Sequence, residues 1–123
     1  MCGVIAISLA SPALANPAVG QWLTQADGKG QTAIVTSKPC GVSVCGTITQ
    51  VRDPSGRKIS HPNVGRRVFW DMKRTKSGQY EGRAYVPLLR KDVAASMTVT
   101  GNNMRVRGCA GPVCRSQVWT RVK

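Results

Sequence analysis

Two cysteine pairs with the same short spacing limit how this chain can fold. Four residues separate Cys40 from Cys45 and Cys109 from Cys114, and each intervening segment contains glycine. Four residues make a common hairpin loop, and residues facing each other across a hairpin have Cβ atoms about 4.5–5.5 Å apart, close to what a disulfide needs. We therefore predict the disulfides Cys40–Cys45 and Cys109–Cys114, each contributing about 2 kcal/mol by loop entropy.

Other uses of these cysteines remain alternatives. The four residues allow two further pairings, and four thiolates could also bind zinc or include a redox-active pair. A spacing of four residues is at the wide edge for zinc ligands, and an oxidising compartment favours disulfides.

Export is indicated by residues 1–15, which carry no charge and end in Ala13-Leu14-Ala15. This is the small-x-small pattern of a signal-peptidase site, and the apolar run is too short to span a bilayer as a helix. Because a basic n-region is missing, we expect the signal to begin further upstream. We predict cleavage after Ala15 and a periplasmic single domain over residues 16–123 without a transmembrane segment; a buried N-terminal element is the alternative.

Alternation of apolar and polar residues, with little helical periodicity, predicts an all-β fold. Good turn formers, such as Asp27-Gly28 and Gly101-Asn102, separate the segments. The predicted strands cover residues 19–25, 31–37, 44–51, 67–74, 79–86, 93–100, 103–109 and 115–122. We predict an antiparallel up-and-down meander of about eight strands closed as a small barrel, since closure removes exposed edges. A β-sandwich is the alternative, and the long link over 52–66 is either functional or a connector.

The chain is strongly basic, with 18 Lys and Arg against 5 Asp and Glu and a net charge of +13. Such a surface attracts polyanions, although it also simply favours solubility. Basic residues cluster in short runs, such as Arg66-Arg67 and Lys73-Arg74-x-Lys76, so we predict no specific nucleic-acid binding. Anionic lipid, lipopolysaccharide and cell-wall polymer are the polyanions that an exported protein would meet.

Groups for catalysis are scarce. The chain has one histidine, His61, in a proline-flanked loop, and two of its five acids, Asp27 and Asp53, lie in turns. Asp71 and Glu81 lie on neighbouring predicted strands, but we expect each to pair with a basic residue. No nucleophile motif, phosphate loop or metal-binding His pair is present. We predict no catalytic residue, no metal site and no cofactor.

Aromatic residues are the better candidates for a site, because in a small barrel they fill the interior or line a ligand cavity. We predict that Trp70, Tyr80 and Tyr85 hold a ligand, with Trp70 on the same face as Val68 and Met72. The alternation leaves open whether Arg105 and Arg107 face solvent or the interior.

Three blocks of the sequence carry a family resemblance. They are Gly20-x-Trp22-Leu-Thr, Pro39-Cys-Gly-x-x-x-Cys-Gly46-x-Ile48, and Arg105-Val-Arg-Gly-Cys109 followed by Cys114-Arg-Ser-Gln-x-Trp-Thr-Arg-Val122. They resemble the bacterial family called domain of unknown function 2147. The resemblance implies an exported, usually periplasmic protein with no established activity. Residues 85–92 depart from the family pattern, so no role of an Asp or Gly there carries over.

A looser similarity links the chain to lipocalin-like (calycin) barrels. These open with Gly-x-Trp on the first strand and place an Arg of the last strand over that Trp, roles that would fall to Trp22 and Arg121. On the last strand, Arg121 shares its face with Trp119. The leading hypothesis is therefore a calycin-like periplasmic module that holds a small apolar or amphipathic ligand. A basic envelope protein without a cavity is the second hypothesis, and an enzyme is the third.

Overall fold

The computed structural model describes residues 16–87 and 89–122, and the predicted signal peptide over 1–15 lies outside them. These residues form nine β-strands, and among them no helix is long and apolar enough to cross a membrane. The strands are β1 (Gly20–Leu23), β2 (Thr32–Cys40), β3 (Ser43–Arg52), β4 (Lys58–Ile59), β5 (Arg67–Lys76), β6 (Gln79–Val86), β7 (Lys91–Thr100), β8 (Asn103–Ala110) and β9 (Val113–Arg121).

Eight of these strands close into an antiparallel barrel. They pair in the order β1-β2-β3-β5-β6-β7-β8-β9, and β9 pairs back with β1. The predicted up-and-down barrel is therefore confirmed, and the β-sandwich alternative is wrong. The short strand β4 pairs with the end of β3. It lies inside the predicted link over 52–66, where two prolines and two glycines give the sequence the appearance of a loop.

Both predicted disulfides are present, Cys40–Cys45 with a Cα–Cα distance of 5.8 Å and Cys109–Cys114 with one of 4.0 Å. The hairpins are tighter than the predicted four-residue loops. Strand pairing continues to two-residue turns after Cys40 and Ala110, in which Gly41 and Gly111 adopt φ of 67° and 61°. Cys109 pairs directly with Cys114, whereas Cys40 pairs with Ser43 and lies diagonally across from Cys45. Glycine reaches positive φ without a steric penalty, which suits it to such turns.

The two ends of the barrel differ. We call the end that carries the β1–β2, β3–β5, β6–β7 and β8–β9 connections the open end, and the opposite end, with residues 16–19 and the β2–β3, β5–β6 and β7–β8 turns, the closed end. Large side chains fill the interior towards the closed end. The fully buried ones include Trp22, Tyr80, Met72, Met97, Met104 and Val44.

A β-bulge on β5 decides which of its side chains face inward. Trp70 pairs with Arg83 and Lys73 pairs with Glu81, so two residues of β5, Asp71 and Met72, oppose one residue of β6. Asp71 has a φ of 54°, and the extra residue shifts the alternation. Phe69 and Met72 are both fully buried, while Trp70 is only half-buried and outside the core cluster. The predicted inward face of Val68, Trp70 and Met72 is therefore wrong at Trp70.

Candidate functional site

A cavity of about 230 Å³ occupies the barrel interior at the open end. Strands β2, β3, β5, β6, β8 and β9 contribute to its lining, together with the β1–β2 and β3–β5 connections. Its apolar walls are formed by Ala33, Val35, Ile48, Val51, Val68, Phe69, Ala84, Val86, Val106 and Trp119.

The rings of Phe69 and Trp119 separate the cavity from the packed core below it. Their centroids are 6.2 Å apart with the planes tilted by 37°, a separation at which aromatic rings attract each other. Phe69 approaches β3 closely because Gly46 has no side chain: a Cβ there would lie 2.3 Å from the ring. Gly46 thus fixes one wall of the cavity by admitting the Phe69 ring.

The closed end is sealed by the segment Asn16–Val19. The indole Nε1 of Trp22 donates to the Ala18 carbonyl at 3.0 Å, and the hydroxyl of Tyr80 bonds to the Asn16 side chain. The Arg121 guanidinium lies 4.3 Å from the Trp22 ring centroid, in the arrangement expected of a Trp–Arg closure.

Arg121 also binds the sealing segment directly. Its Nη1 donates to the Val19 carbonyl at 3.1 Å and its Nη2 donates to the Pro17 carbonyl at 2.7 Å. Since these donors belong to one rigid fork, Arg121 holds the segment and the Trp22 ring in a fixed relation. The closed end is therefore filled by contacts within the protein, and the cavity lies at the other end.

The three predicted ligand residues do not surround one cavity. Tyr85 lines the cavity, and the Arg66 guanidinium lies 4.4 Å from its ring centroid. Tyr80 is buried near the closed end, beyond the cavity lining. Trp70 lies on the outer face, with the Arg67 guanidinium 5.1 Å from its ring centroid. The bulge on β5 is the reason for the position of Trp70.

Arg105 and Arg107 face solvent. They are exposed, and they alternate on β8 with the inward residues Met104, Val106 and Gly108, of which Val106 and Gly108 line the cavity. The sequence left the orientation of these two side chains open, and the structure places both on the outside of the barrel.

Several cavity residues were missed by sequence reasoning. Phe69 was overlooked because the assumed regular alternation placed it outside, and only knowledge of the bulge would have corrected this. Arg115 had a usable signal: on the last strand it continues the series of Gln117, Trp119 and Arg121 at every second position. That series is the inward face of β9, and Arg115 lines the cavity mouth.

Polar groups form the rim of the cavity. Gln117 accepts a hydrogen bond from Trp119 Nε1 at 2.7 Å, and His61 Nδ1 accepts one from the Asn63 amide at 3.0 Å. Asp27 uses Oδ1 to accept the amides of Lys29 and Gln31, at 2.8 and 2.9 Å, and so shapes the β1–β2 loop. At the rim, one acceptor atom each of Gln117, His61 and Asp27 is therefore already occupied by a hydrogen bond within the protein.

Hydrogen bonds hold both halves of the long link between β3 and β5. Asp53 Oδ1 accepts from the Ser55 hydroxyl at 2.7 Å and from the Arg57 amide at 2.9 Å. The Ser55 bond first, and the Arg57 bond second, lower the pKa of the Asp53 carboxyl from its usual value. The second half binds β3 where the Ile48 amide donates to the Arg66 carbonyl at 2.9 Å, which brings His61 and Asn63 to the cavity.

The sequence matches, over residues 20–121, the family described as "Uncharacterized protein conserved in bacteria (DUF2147)". The chain belongs to the DUF2147 family. The match begins at the first residue of β1 and ends at the last residue of β9, so the DUF2147 unit here is the whole barrel. The resemblance expected from the Trp22, Cys40 and C-terminal blocks is confirmed.

The DUF2147 barrel is similar to a solved structure, that of protein HP1028 from the human pathogen Helicobacter pylori, described as belonging to the lipocalin family. The two share 16% sequence identity with a TM-score of 0.66, over 85% of this chain and 82% of that one. At this identity the similarity shows a common fold, which agrees with the expected calycin-like barrel. No curated protein matches the DUF2147 chain at a significant level.

Proposed function

We propose that this protein is a periplasmic binding protein that holds a small apolar or amphipathic ligand in the open-end cavity. The observation that carries the proposal is the cavity itself: apolar walls beneath a polar rim, in a volume of about 230 Å³. Small-molecule sites typically combine such walls with a few placed polar groups and measure roughly 300–1,000 Å³. The volume favours a ligand at the small end of this class.

The side chains explain why the interior is open at one end only. Small residues, Ala33, Ala84 and Gly108, line the cavity, whereas methionines fill the layers towards the closed end. Protein interiors are normally packed without large voids. An open apolar space in so small a barrel is therefore a feature that a ligand would fill.

Periplasmic location is supported by the two disulfides, which persist in oxidising compartments, and by membership of a bacterial family. The proposal includes no catalytic step. His61, the single histidine of the chain, uses Nδ1 as an acceptor within its own loop, and the proposal assigns it a role at the rim.

Replacing Ala84 with phenylalanine tests the proposal by filling the cavity. Ala84 is 6% exposed and lines the cavity, so the added ring takes the space of a ligand. With the neutral fluorescent probe N-phenyl-1-naphthylamine, we expect the variant to bind at least about tenfold more weakly, a change of about 1.4 kcal/mol in binding free energy.

The matched control is Ala94→Phe. Ala94 lies on the neighbouring strand β7, paired with Arg83, and is exposed on the outer face. The control should bind the probe like the unmodified protein. Equal binding by both variants, with far-ultraviolet circular dichroism showing both folded, would place the probe outside the cavity. Absence of any small molecule in extracts of natively purified protein would also count against the proposal.

The outer surface supports a second candidate function, binding to an anionic envelope component. Arg83, Arg105 and Arg107 face outward on β6 and β8, and the chain has a net charge of +13. A surface of one dominant sign attracts polyanions at long range. This function needs no cavity and is compatible with the first.

Binding to vesicles separates this second candidate from the first. We expect association with phosphatidylglycerol vesicles but not with phosphatidylcholine vesicles. Association should fall steeply as salt rises from about 0.05 to 0.5 M, because screening and counterion release weaken it. The double variant Arg105→Gln and Arg107→Gln should bind more weakly, while Ala84→Phe should bind normally. Vesicle binding that does not change with salt concentration would contradict the second candidate function.

A further inference from the structure

We infer that the ligand of the open-end cavity carries an acidic head group, of the carboxylate class, which Arg115 receives at the rim. The inference rests on the proposed function, because it names the chemistry of the molecule that the cavity would hold. It predicts an amphiphile: a short apolar body among the cavity walls and a single negative charge at the mouth.

The register of β9 directs Arg115 towards the cavity. Arg115 pairs with Gly108 of β8, and Gly108 pairs in turn with Ala95 of β7. Both Gly108 and Ala95 are buried. Residues directly opposite each other in a sheet share a face. Trp119, four residues further along the same strand, is buried and lines the cavity. Arg115 therefore belongs to the inner face and stands at its open end.

The guanidinium of Arg115 has no partner within the part of the chain that the structure describes. Arg121, on the same face of the same strand, lies six residues away, which is about 20 Å along a strand. There the guanidinium donates to two backbone carbonyls and stacks on the Trp22 ring. One face of β9 thus carries two arginines, one bound within the protein at the closed end and one available at the open end.

An available guanidinium beside an apolar space selects a particular ligand. Its fork geometry matches a carboxylate, to which it donates two parallel hydrogen bonds. A neutral apolar ligand would fill the cavity but leave this cation unused. A ligand with a carboxylate at one end satisfies the walls and the arginine together.

Two further donors line the cavity. Gln117 uses its oxygen to accept from Trp119 Nε1, and its amide hydrogens bond to no residue that the structure describes. His61 accepts at Nδ1 from the Asn63 amide, so this hydrogen bond assigns the ring proton to Nε2 as a donor. Asp27 is the acid that lines the cavity among the described residues, and its Oδ1 is engaged by two backbone amides.

A second positive charge flanks the mouth. Arg66 is stacked on Tyr85, which lines the cavity, and the stack holds its charge close to the entrance. Since cations outnumber acids so strongly over the whole chain, the surrounding field also draws anions towards the mouth. The charge of the entrance thus agrees with the donors inside it.

Calorimetric titration with decanoate and with decan-1-ol tests the inference. The two probes share an apolar chain and differ at the head. We expect the unmodified protein to bind decanoate about tenfold more tightly than decan-1-ol, as one charge-assisted hydrogen-bonding site would give. Arg115→Met should remove this preference, by weakening decanoate binding about tenfold while changing decan-1-ol binding less than about twofold.

Lys73→Met is the matched control, because it removes one positive charge from an exposed position on the outer face of β5. It should leave both affinities unchanged. Equal binding of the two probes by the unmodified protein, or equal loss of decanoate binding in both variants, would overturn the inference and leave the proposed cavity function standing. Failure of both probes to bind, with both variants folded by circular dichroism, would overturn the inference and the proposed function together.

Discussion

Replacing Trp22 with alanine is expected to lower the free energy of unfolding by about 3–5 kcal/mol, the range for deleting a buried large aromatic ring. Trp22 is fully buried, and its ring supports three features of the closed end: the core, the bond to the Ala18 carbonyl and the stacked Arg121. Small domains are stable by only about 5–15 kcal/mol. Urea denaturation followed by circular dichroism measures the change.

Trp70→Ala is the matched control for this prediction. It removes the same side chain from the outer face, where the ring is half-buried and stacked with Arg67. Partial burial and one exposed cation–π contact suggest a loss of about 1–2 kcal/mol. Equal losses at the two positions would mean that Trp70 also belongs to the core. If Trp22→Ala is too unstable to measure, Trp22→Phe keeps a ring but loses the donor to Ala18, with an expected loss of about 1–3 kcal/mol.

The fold could be predicted largely because its determinants are local. Alternation along each strand and glycine-containing turns identify the eight barrel strands to within a few residues. The disulfides followed from the same local logic, since a hairpin brings Cys109 directly opposite Cys114 and brings Cys40 diagonally across from Cys45. Even the closure of the barrel had a visible signal, in the Gly20-x-Trp22 start and Arg121 near the end of the chain.

The candidate site could be predicted only in part, because it depends on non-local facts. One extra residue in β5 places Phe69 instead of Trp70 on the inner face. The alternation of apolar and polar residues in the sequence does not reveal this extra residue. Whether the interior is open depends on which small side chains share a layer across several strands, such as Ala84 and Gly108. Tyr80 and Tyr85 were both predicted to hold the ligand; Tyr85 lines the cavity, whereas Tyr80 is buried near the closed end.

Replacing Gly82 with alanine is expected to destabilise the barrel by about 3 kcal/mol, the upper part of the usual range for overpacking. Gly82 is the residue of β6 that faces the bulge. A Cβ there would lie 2.5 Å from the Asp71 carbonyl oxygen and 2.7 Å from that of Trp70. Both are backbone atoms, so β5 would have to move away from β6. Urea denaturation measures the loss, and amide exchange on β5 and β6 should rise with it.

Gly28→Ala is the control for the same chemical change. Its added Cβ would meet nothing within 4 Å, so stability should stay within about 0.5 kcal/mol.

The bulge itself can be tested by deleting Asp71. The deletion leaves regular alternation, with Phe69 and Met72 inward and Trp70 outward, and it removes the carbonyl nearest to the new Cβ. Combined with Gly82→Ala, it should therefore destabilise the protein by at least about 1 kcal/mol less than the sum of the single losses, as coupled neighbours do. Strict additivity would show that Gly82 is required for a reason other than the bulge, and the account of why Trp70 lies outside the barrel would then lose its support.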